Sequence, residues 1–191
     1  MKERELIALL KQKDRVAFKI IVESWQDMVY NTSIGLLQNA QDAEDTAQEV
    51  FIQVFESISS FKEESKFSTW IYRITVSKCL DYIRKKKRKK RFAFVQSLYG
   101  INNDLSIDPP DFFHPGIKIE NKENAIVLFK AIDKLPTHQK TAFILNKIES
   151  LSYLEISEIM KSSESAVDSL LQRAKKNLRK NLKEYYSMIN S

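Results

Sequence analysis

The sequence predicts an all-α protein of two small helical domains joined by an irregular linker, and three observations predict it. Its 191 residues include only three Gly and four Pro, too few for the many tight turns of a sandwich or barrel. Most of these breakers, Gly100, Pro109, Pro110, Pro115 and Gly116, gather in one stretch. On either side of it, apolar residues recur at spacings of three and four, the period of a helix. Charge follows the same division: residues 1–95 carry a net +5, residues 96–123 a net −3 and residues 124–191 a net +4, within a total of +6. The chain therefore reads as a first domain over 1–95, a linker over 96–123 and a second domain over 124–191.

Composition narrows the function classes. No apolar run approaches the ~20 residues that cross a bilayer, and the amino end, MKERELIALLKQKD, lacks the small-residue cleavage site of an export signal. A cytoplasmic protein is expected. The single cysteine, Cys79, forbids an internal disulfide, and with only His114 and His138 beside it a structural zinc site would lack soft ligands, so neither metal nor cofactor is expected. The basic excess is compatible with a nucleic-acid partner.

Three helical stretches fill the first domain. The first, about Glu3 to Leu37, places Ala17, Phe18, Ile21, Val22, Trp25, Val29 and Tyr30 on one side, which is a core pattern. The second, DAEDTAQEVFIQVFESI, opens with Asp42 as the expected cap and carries Glu44 and Asp45 in its first turn, where the helix dipole favours anions. Its apolar face runs from Ala43 through Val50, Phe51 and Val54 to Ile58, while Asp45, Gln48, Glu49, Ile52 and Glu56 project from the other side. Ile52 is either a stray apolar side chain on a solvated face or the centre of a protein-docking surface with an acidic rim. The third stretch, Ser68 to about Arg84, follows the polar loop KEES and aligns Trp70, Arg73, Ser77, Asp81 and Arg84 on one stripe. A tryptophan beside arginines suits a single-stranded nucleic acid, because a base can stack on the indole while guanidinium groups hold phosphates. The commoner role of a Trp is to cover a neighbouring helix. The run RKKKRKKR, from Arg84 to Arg91, extends the stripe with cations and favours nucleic acid.

The linker contains NNDLSIDPPDFFHPG, rich in residues that terminate regular structure, and reads as a tether or as an acidic strand for a basic channel. In the second domain, one helix over about Ala125 to Leu135 ends at Pro136, and another carries Ala142, Phe143, Leu145 and Ile148 inward. Ser152 and Glu155 form an S-x-x-E capping box, so a short helix begins at Tyr153 and ends near KSSES. The next begins near Ser163 or Glu164, with Val167, Leu170, Leu171, Ala174, Leu178 and Leu182 on its buried stripe. Two helices on a short turn fit a helix-turn-helix, although the turn lacks the usual glycine. Ser165, Ser169, Gln172 and Lys176 then point outward, flanked by Asp168 and Arg173. Short polar groups, an amide and cations on one face suit base-edge and phosphate contacts in a major groove, or equally an ordinary amphipathic hairpin helix.

Together, DAEDTAQEVF, FSTWIYRI, DYIRKKKR, SLSYLEISEIM and AVDSLLQRAKKNL, in this order and spacing, resemble the extracytoplasmic-function group of bacterial sigma factors over nearly the whole chain. The resemblance implies a non-catalytic initiation factor whose partners are core RNA polymerase, promoter DNA and an anti-sigma factor, with no small-molecule substrate. It implies that Asp42, Asp45, Gln48, Glu49 and Ile52 dock on the clamp helices of the polymerase largest subunit. It assigns Lys62, Glu63, Ser65, Lys66, Phe67, Trp70, Arg73, Ser77, Asp81, Arg84 and Lys85 to opening the minus-ten element. Ser165, Asp168, Ser169, Gln172, Arg173 and Lys176 would read the minus-thirty-five element, and the linker would enter the polymerase cleft and RNA exit path. Two departures bear on promoter choice. Where many relatives have a Thr-Val-Lys-Ser-Arg-like stretch this chain has Ala166, Val167, Asp168, Ser169 and Leu170, and Ser77 or Lys78 stands where an asparagine is frequent. An autonomous helix-turn-helix regulator would need a dimerisation helix or a ligand pocket, and a nucleic-acid enzyme would need clustered carboxylates or a nucleophile with its base; the pattern offers neither.

Overall fold

The computed structural model describes residues 3–98 and 122–189, with side chains over 3–92 and 125–183. Within these bounds every regular element is helical. The order is α1 (Glu3–Lys11), α2 (Arg15–Leu37), α3 (Ala40–Ser57), a 3-10 turn (Ile58–Ser60), α4 (Phe67–Leu98), α5 (Lys122–Asp133), α6 (Thr137–Lys147), α7 (Tyr153–Met160) and α8 (Glu164–Ile189). The acidic linker falls, over 99–121, outside the described residues.

Local chemistry explains the boundaries, and three differ from those read in the sequence. The first helical stretch is two helices. Lys13 adopts a left-handed conformation (φ 63°), and Asp14 restarts the chain as an N-cap whose carboxylate accepts the Ala17 amide at 2.7 Å. Asn39, rather than Asp42, caps α3: its side chain accepts the Asp42 amide at 2.8 Å, while Gln38, left-handed at φ 53°, closes α2 just before it. An Asx cap reaching three residues ahead leaves Asp42 inside the first turn. Thirdly, α4 does not stop near Arg84. It continues through RKKKRKKR to Leu98, a 32-residue helix.

The second domain follows the sequence more closely. The capping box is present in both directions, with the Glu155 amide donating to the Ser152 hydroxyl at 3.3 Å and the Ser152 amide to the Glu155 carboxylate at 3.1 Å. Lys161 fills the missing-glycine position by turning left-handed (φ 52°), a strain of roughly 1–2 kcal/mol for a residue with a Cβ. Its amide and that of Ser162 both donate to the Ser157 carbonyl, which offsets part of that strain.

Packing is organised around two cores. One joins Ile7, Leu10, Ile21, Val29, Val50, Phe51, Val54, Ile58, Phe61, Phe67 and Ile71 from the first domain. The other is built on Ile132, Leu135, Ala142, Ile144, Leu145, Ile156, Val167, Leu171 and Ala174, and it takes in Leu36, Tyr72, Val76 and Cys79 of the first domain. The two domains thus share an apolar seam, in which α4 lies against α7 and the end of α2 against α6.

Candidate nucleic-acid interface

Two aromatic rings seat the indole of the α4 stripe. Trp70 is half-buried, with its ring nearly parallel to Phe67 (22°, centroids 5.7 Å apart) and tilted against Phe61 at 5.3 Å. Phe67 itself is only 2% exposed and also meets Trp25 and Phe61 edge-on. Its assignment as a DNA contact is therefore corrected: as the first residue of α4 it faces the core, and it orients Trp70 instead of presenting a ring of its own. Further along the helix Arg73 is half-buried, whereas Ser77, Asp81, Arg84 and Lys85 are exposed. Asp81 pairs with Arg84, so one cation of the stripe is already neutralised within α4.

The preceding loop brings Lys62, Glu63 and Lys66 into solvent, with Ser65 partly covered. Glu63, left-handed at φ 60°, pairs with Lys11 of α1 at 3.4 Å. Lys66 reaches into the second domain and meets the Glu155 carboxylate at 3.0 Å.

Two further polar contacts cross the same boundary. The Tyr72 hydroxyl donates to the Glu149 carboxylate at 2.9 Å, and the Arg73 Nε donates to the Glu158 carbonyl at 2.9 Å. Their electrostatics divide by burial. The Lys66 ammonium, with help from the Ser152 amide and hydroxyl, holds the Glu155 carboxyl down at about 2. Glu149 is shifted upward, because burial outweighs the hydrogen bond from Tyr72, and burial likewise raises the Tyr72 hydroxyl. Between the domains lies a cavity of about 570 Å³ lined by Phe61, Trp70, Arg73 and Ser77 on one side and by His138, Ile159, Met160 and Lys161 on the other. Tyr72 and Glu149 escaped the sequence reading, since no spacing rule links residues 77 positions apart.

On α3 all five residues that the periodicity turns outward are exposed, Glu56 among them, whereas Asp42, which only the family resemblance adds to the docking set, is not. Asp45, Gln48, Glu49 and Ile52 are exposed, Ile52 at 57%. Glu49 is loosely paired with Lys78 at 4.0 Å, and Asp45 accepts from Gln41. Asp42 departs from this group: it turns toward α4, where it pairs with Lys86 at 2.7 Å and faces Tyr82. Helix α8 exposes Ser165, Ser169, Gln172, Arg173 and Lys176. Asp168 is partly covered and accepts from the Gln172 amide at 2.8 Å, which holds two of the candidate base contacts together.

No described helix is long and apolar enough to cross a membrane, and among the described residues no group of three His, Cys, Asp or Glu gathers as a metal site.

Residues 21–89 match the family model for sigma-70 region 2, and residues 126–178 match that for sigma-70 region 4. The chain is 34% identical to the ECF RNA polymerase sigma factor SigW of Bacillus subtilis, over 95% of this chain and 97% of that one. It is 32% identical to the ECF RNA polymerase sigma-E factor of Haemophilus influenzae, over 91% of each. Among solved structures, the fold is similar to CnrH in complex with the cytosolic domain of CnrY (TM-score 0.66, 18% identity, 95% of this chain and 97% of that chain). It is also similar to the sigma factor RpoE in complex with the anti-sigma factor NepR from Bartonella quintana (TM-score 0.63, 22% identity, 87% and 96%). Matches to both sigma-70 regions favour an initiation factor over an autonomous helix-turn-helix regulator. An all-helical chain with a Trp-bearing α4, an acidic-rimmed α3 and a capped α7–α8 pair, matched over nearly its full length by such relatives, belongs to the ECF family of RNA polymerase sigma factors.

Proposed function

We propose that this sigma factor divides the work of initiation among three surfaces. Ile52, with Asp45, Gln48 and Glu49 around it, docks on the clamp helices of core polymerase. Trp70, backed by Phe67 and Phe61, takes a flipped base of the non-template strand at the minus-ten element, while Arg73, Arg84, Lys85 and the Lys62 to Lys66 loop hold phosphates. Ser165, Ser169, Gln172, Arg173 and Lys176 read the minus-thirty-five element from α8, with Asp168 as an acceptor for Gln172 or for a cytosine amino group. Asp42 anchors α4 to α3. The observation that supports this reading is the indole seated on a ring stack at the head of a 32-residue helix that goes on into eight basic residues, so that an aromatic surface and a run of cations share one axis.

The protein itself performs no catalytic step; polymerase does the chemistry. It works in the cytoplasm, and an anti-sigma factor that covers one or both domains controls it, a proposal supported by the anti-sigma complex described for RpoE. The test is run-off transcription with purified core polymerase and a library of promoter fragments, with and without the protein. Promoter-specific transcripts that appear only on its addition support the reading. Failure to join core polymerase, together with tight binding of a duplex operator by the protein alone, overturns it.

A further inference from the structure

We propose that the cleft between the end of α2, the basic run of α4 and the start of α6 is a binding site for a small phosphorylated ligand carrying at least two phosphoryl groups. A cavity of about 350 Å³ opens there, lined by Gln38, by Lys86, Lys87 and Lys90 of α4, and by Thr137 and Lys140 of α6. Asp133 is the one acid in that lining, against four lysines. None of the residues assigned to the three initiation surfaces lines it.

The basic run has two faces. At about 100° per residue, Arg84, Arg88 and Arg91 fall in line with Trp70 and Arg73, while Lys86 and Lys90 fall on the opposite side, a turn beyond Tyr82 and Ile83. A track for a nucleic-acid backbone needs only the first face. The second is turned to the start of α6, where it meets another cation. Lys140 is buried, with its side chain 7% exposed, and it pairs at 2.7 Å with an Asp133 carboxylate that stays mostly in solvent. Burial pushes the Lys140 ammonium below its ordinary value, Asp133 offsets part of that, and Lys87 across the cleft adds to it. An anion set between Lys87 and Lys140 replaces their repulsion with two attractions.

The backbone supports the same charge. Helix α6 begins after Pro136, whose ring has no group to cap the first-turn amides. Amides at a helix start with a lysine beside them hold phosphate oxygens well. Gln38 completes the cleft. It is only 4% exposed, and its side-chain nitrogen and oxygen have no hydrogen-bond partner among the described residues. Left-handed at φ 53°, it stands in the wall between this cavity and a second one of about 280 Å³, which Lys130 and Lys134 also line. A buried amide with both ends unmet is an incomplete hydrogen-bonding site. A ligand with an adjacent donor and acceptor completes it, as a nucleobase edge does. The volume is that of a small-molecule pocket, and Lys140 and Gln38 lie too deep for the backbone of a duplex. A nucleoside diphosphate engages the lysines, the α6 start and Gln38; inorganic pyrophosphate engages only the first two.

The experiment is isothermal titration calorimetry of the full chain at constant ionic strength, with ADP, GDP and inorganic pyrophosphate as probes and sulfate as the control anion. One saturable site per chain is expected, together with a rise in thermal midpoint as the probe is added. Two double variants make the same charge change on opposite faces of the run. Lys87→Glu, Lys90→Glu should weaken binding about tenfold or more, the factor for losing one charged hydrogen bond, whereas Arg84→Glu, Arg88→Glu should leave it unchanged. Lys140→Met, which keeps the aliphatic stem, should abolish it, with circular dichroism to verify the fold; if that variant misfolds, the surface pairs decide. Nucleotides that bind tighter than pyrophosphate, with the advantage lost in Gln38→Met, support the site and name a nucleotide as its ligand. Equal affinities that ignore Gln38→Met support it with a bare polyphosphate as the ligand. Absence of saturable binding for every probe overturns the proposal. Binding that the two double variants weaken equally overturns it as well, because the run then attracts anions as a whole. A cleft that takes none of the probes yet holds a DNA duplex through Lys87 and Lys90 is a DNA contact, and that too overturns the proposal.

Discussion

Replacing Ile52 and Glu49 together with lysine attacks the proposed polymerase-docking surface without touching the core. Ile52 is 57% exposed and Glu49 makes only a 4.0 Å contact with Lys78, so each substitution should change folding stability by about 0.5 kcal/mol or less. The effect on association is larger. Burying the exposed remainder of Ile52 contributes about 1–2 kcal/mol, given about 1.5–3 kcal/mol for a whole aliphatic side chain. Two added lysines also change the local charge from net acidic to basic, and like charges set opposite one another cost several kcal/mol. A combined loss of about 3 kcal/mol or more corresponds to about a hundredfold weaker association. Fluorescence titration of the labelled protein with core polymerase measures it, with circular dichroism as the folding control. A folded double variant whose affinity lies within about threefold of the parent would refute the assignment and place the docking surface elsewhere.

Trp70→Ala should impair promoter opening, followed by permanganate reactivity of the melted region, more than closed-complex formation, followed by gel shift; equal losses would reduce the indole to a packing element over Phe61 and Phe67. Glu155 has a folded pKa of about 2 against an ordinary 4.5, so its stabilising contribution is complete above about 4.5 and disappears as pH falls toward about 2. Glu155→Gln should flatten the denaturation midpoint over that window, and an unchanged acid slope would show that the Lys66 pair contributes nothing. The Cys79 thiol is buried in the seam and pushed up to about 12, so the native protein should resist a thiol reagent at neutral pH and react in denaturant. Rapid native labelling would contradict the packing of α4 on its neighbours.

How much could be read before folding depends on the range of the interaction concerned. The capping box at Ser152 and Glu155 was legible because both bonds close within three residues, and the buried stripe of α8 because a 3.6-residue period fixes which side chains align. The cap at Asn39 was misplaced onto Asp42 because both are Asx residues near a helix start, and only the backbone turn at Gln38 decides between them. The extent of α4 was underestimated because eight consecutive cations have no amphipathic period, yet lysine and arginine are good helix formers and the helix carries on through them. Phe67 enters the minus-ten set through the family resemblance alone, and no local pattern shows that its ring is held by Trp25 and Phe61 from other elements. The seam joining Tyr72 to Glu149 and Arg73 to Glu158 leaves no local trace, since it depends on how two amphipathic surfaces meet.

The uninterrupted course of α4 also works as a ruler. At about 1.5 Å per residue, the 21 residues from Trp70 to Arg91 hold the indole and the last cation of the basic run about 31 Å apart, with their angular offset set by the helical repeat. Laid parallel to a duplex, that distance is about nine base pairs at roughly 3.4 Å each. On the proposed strand-capture reading, a phosphate gripped at the far end of this stiff rod is held at that fixed distance from the opened base.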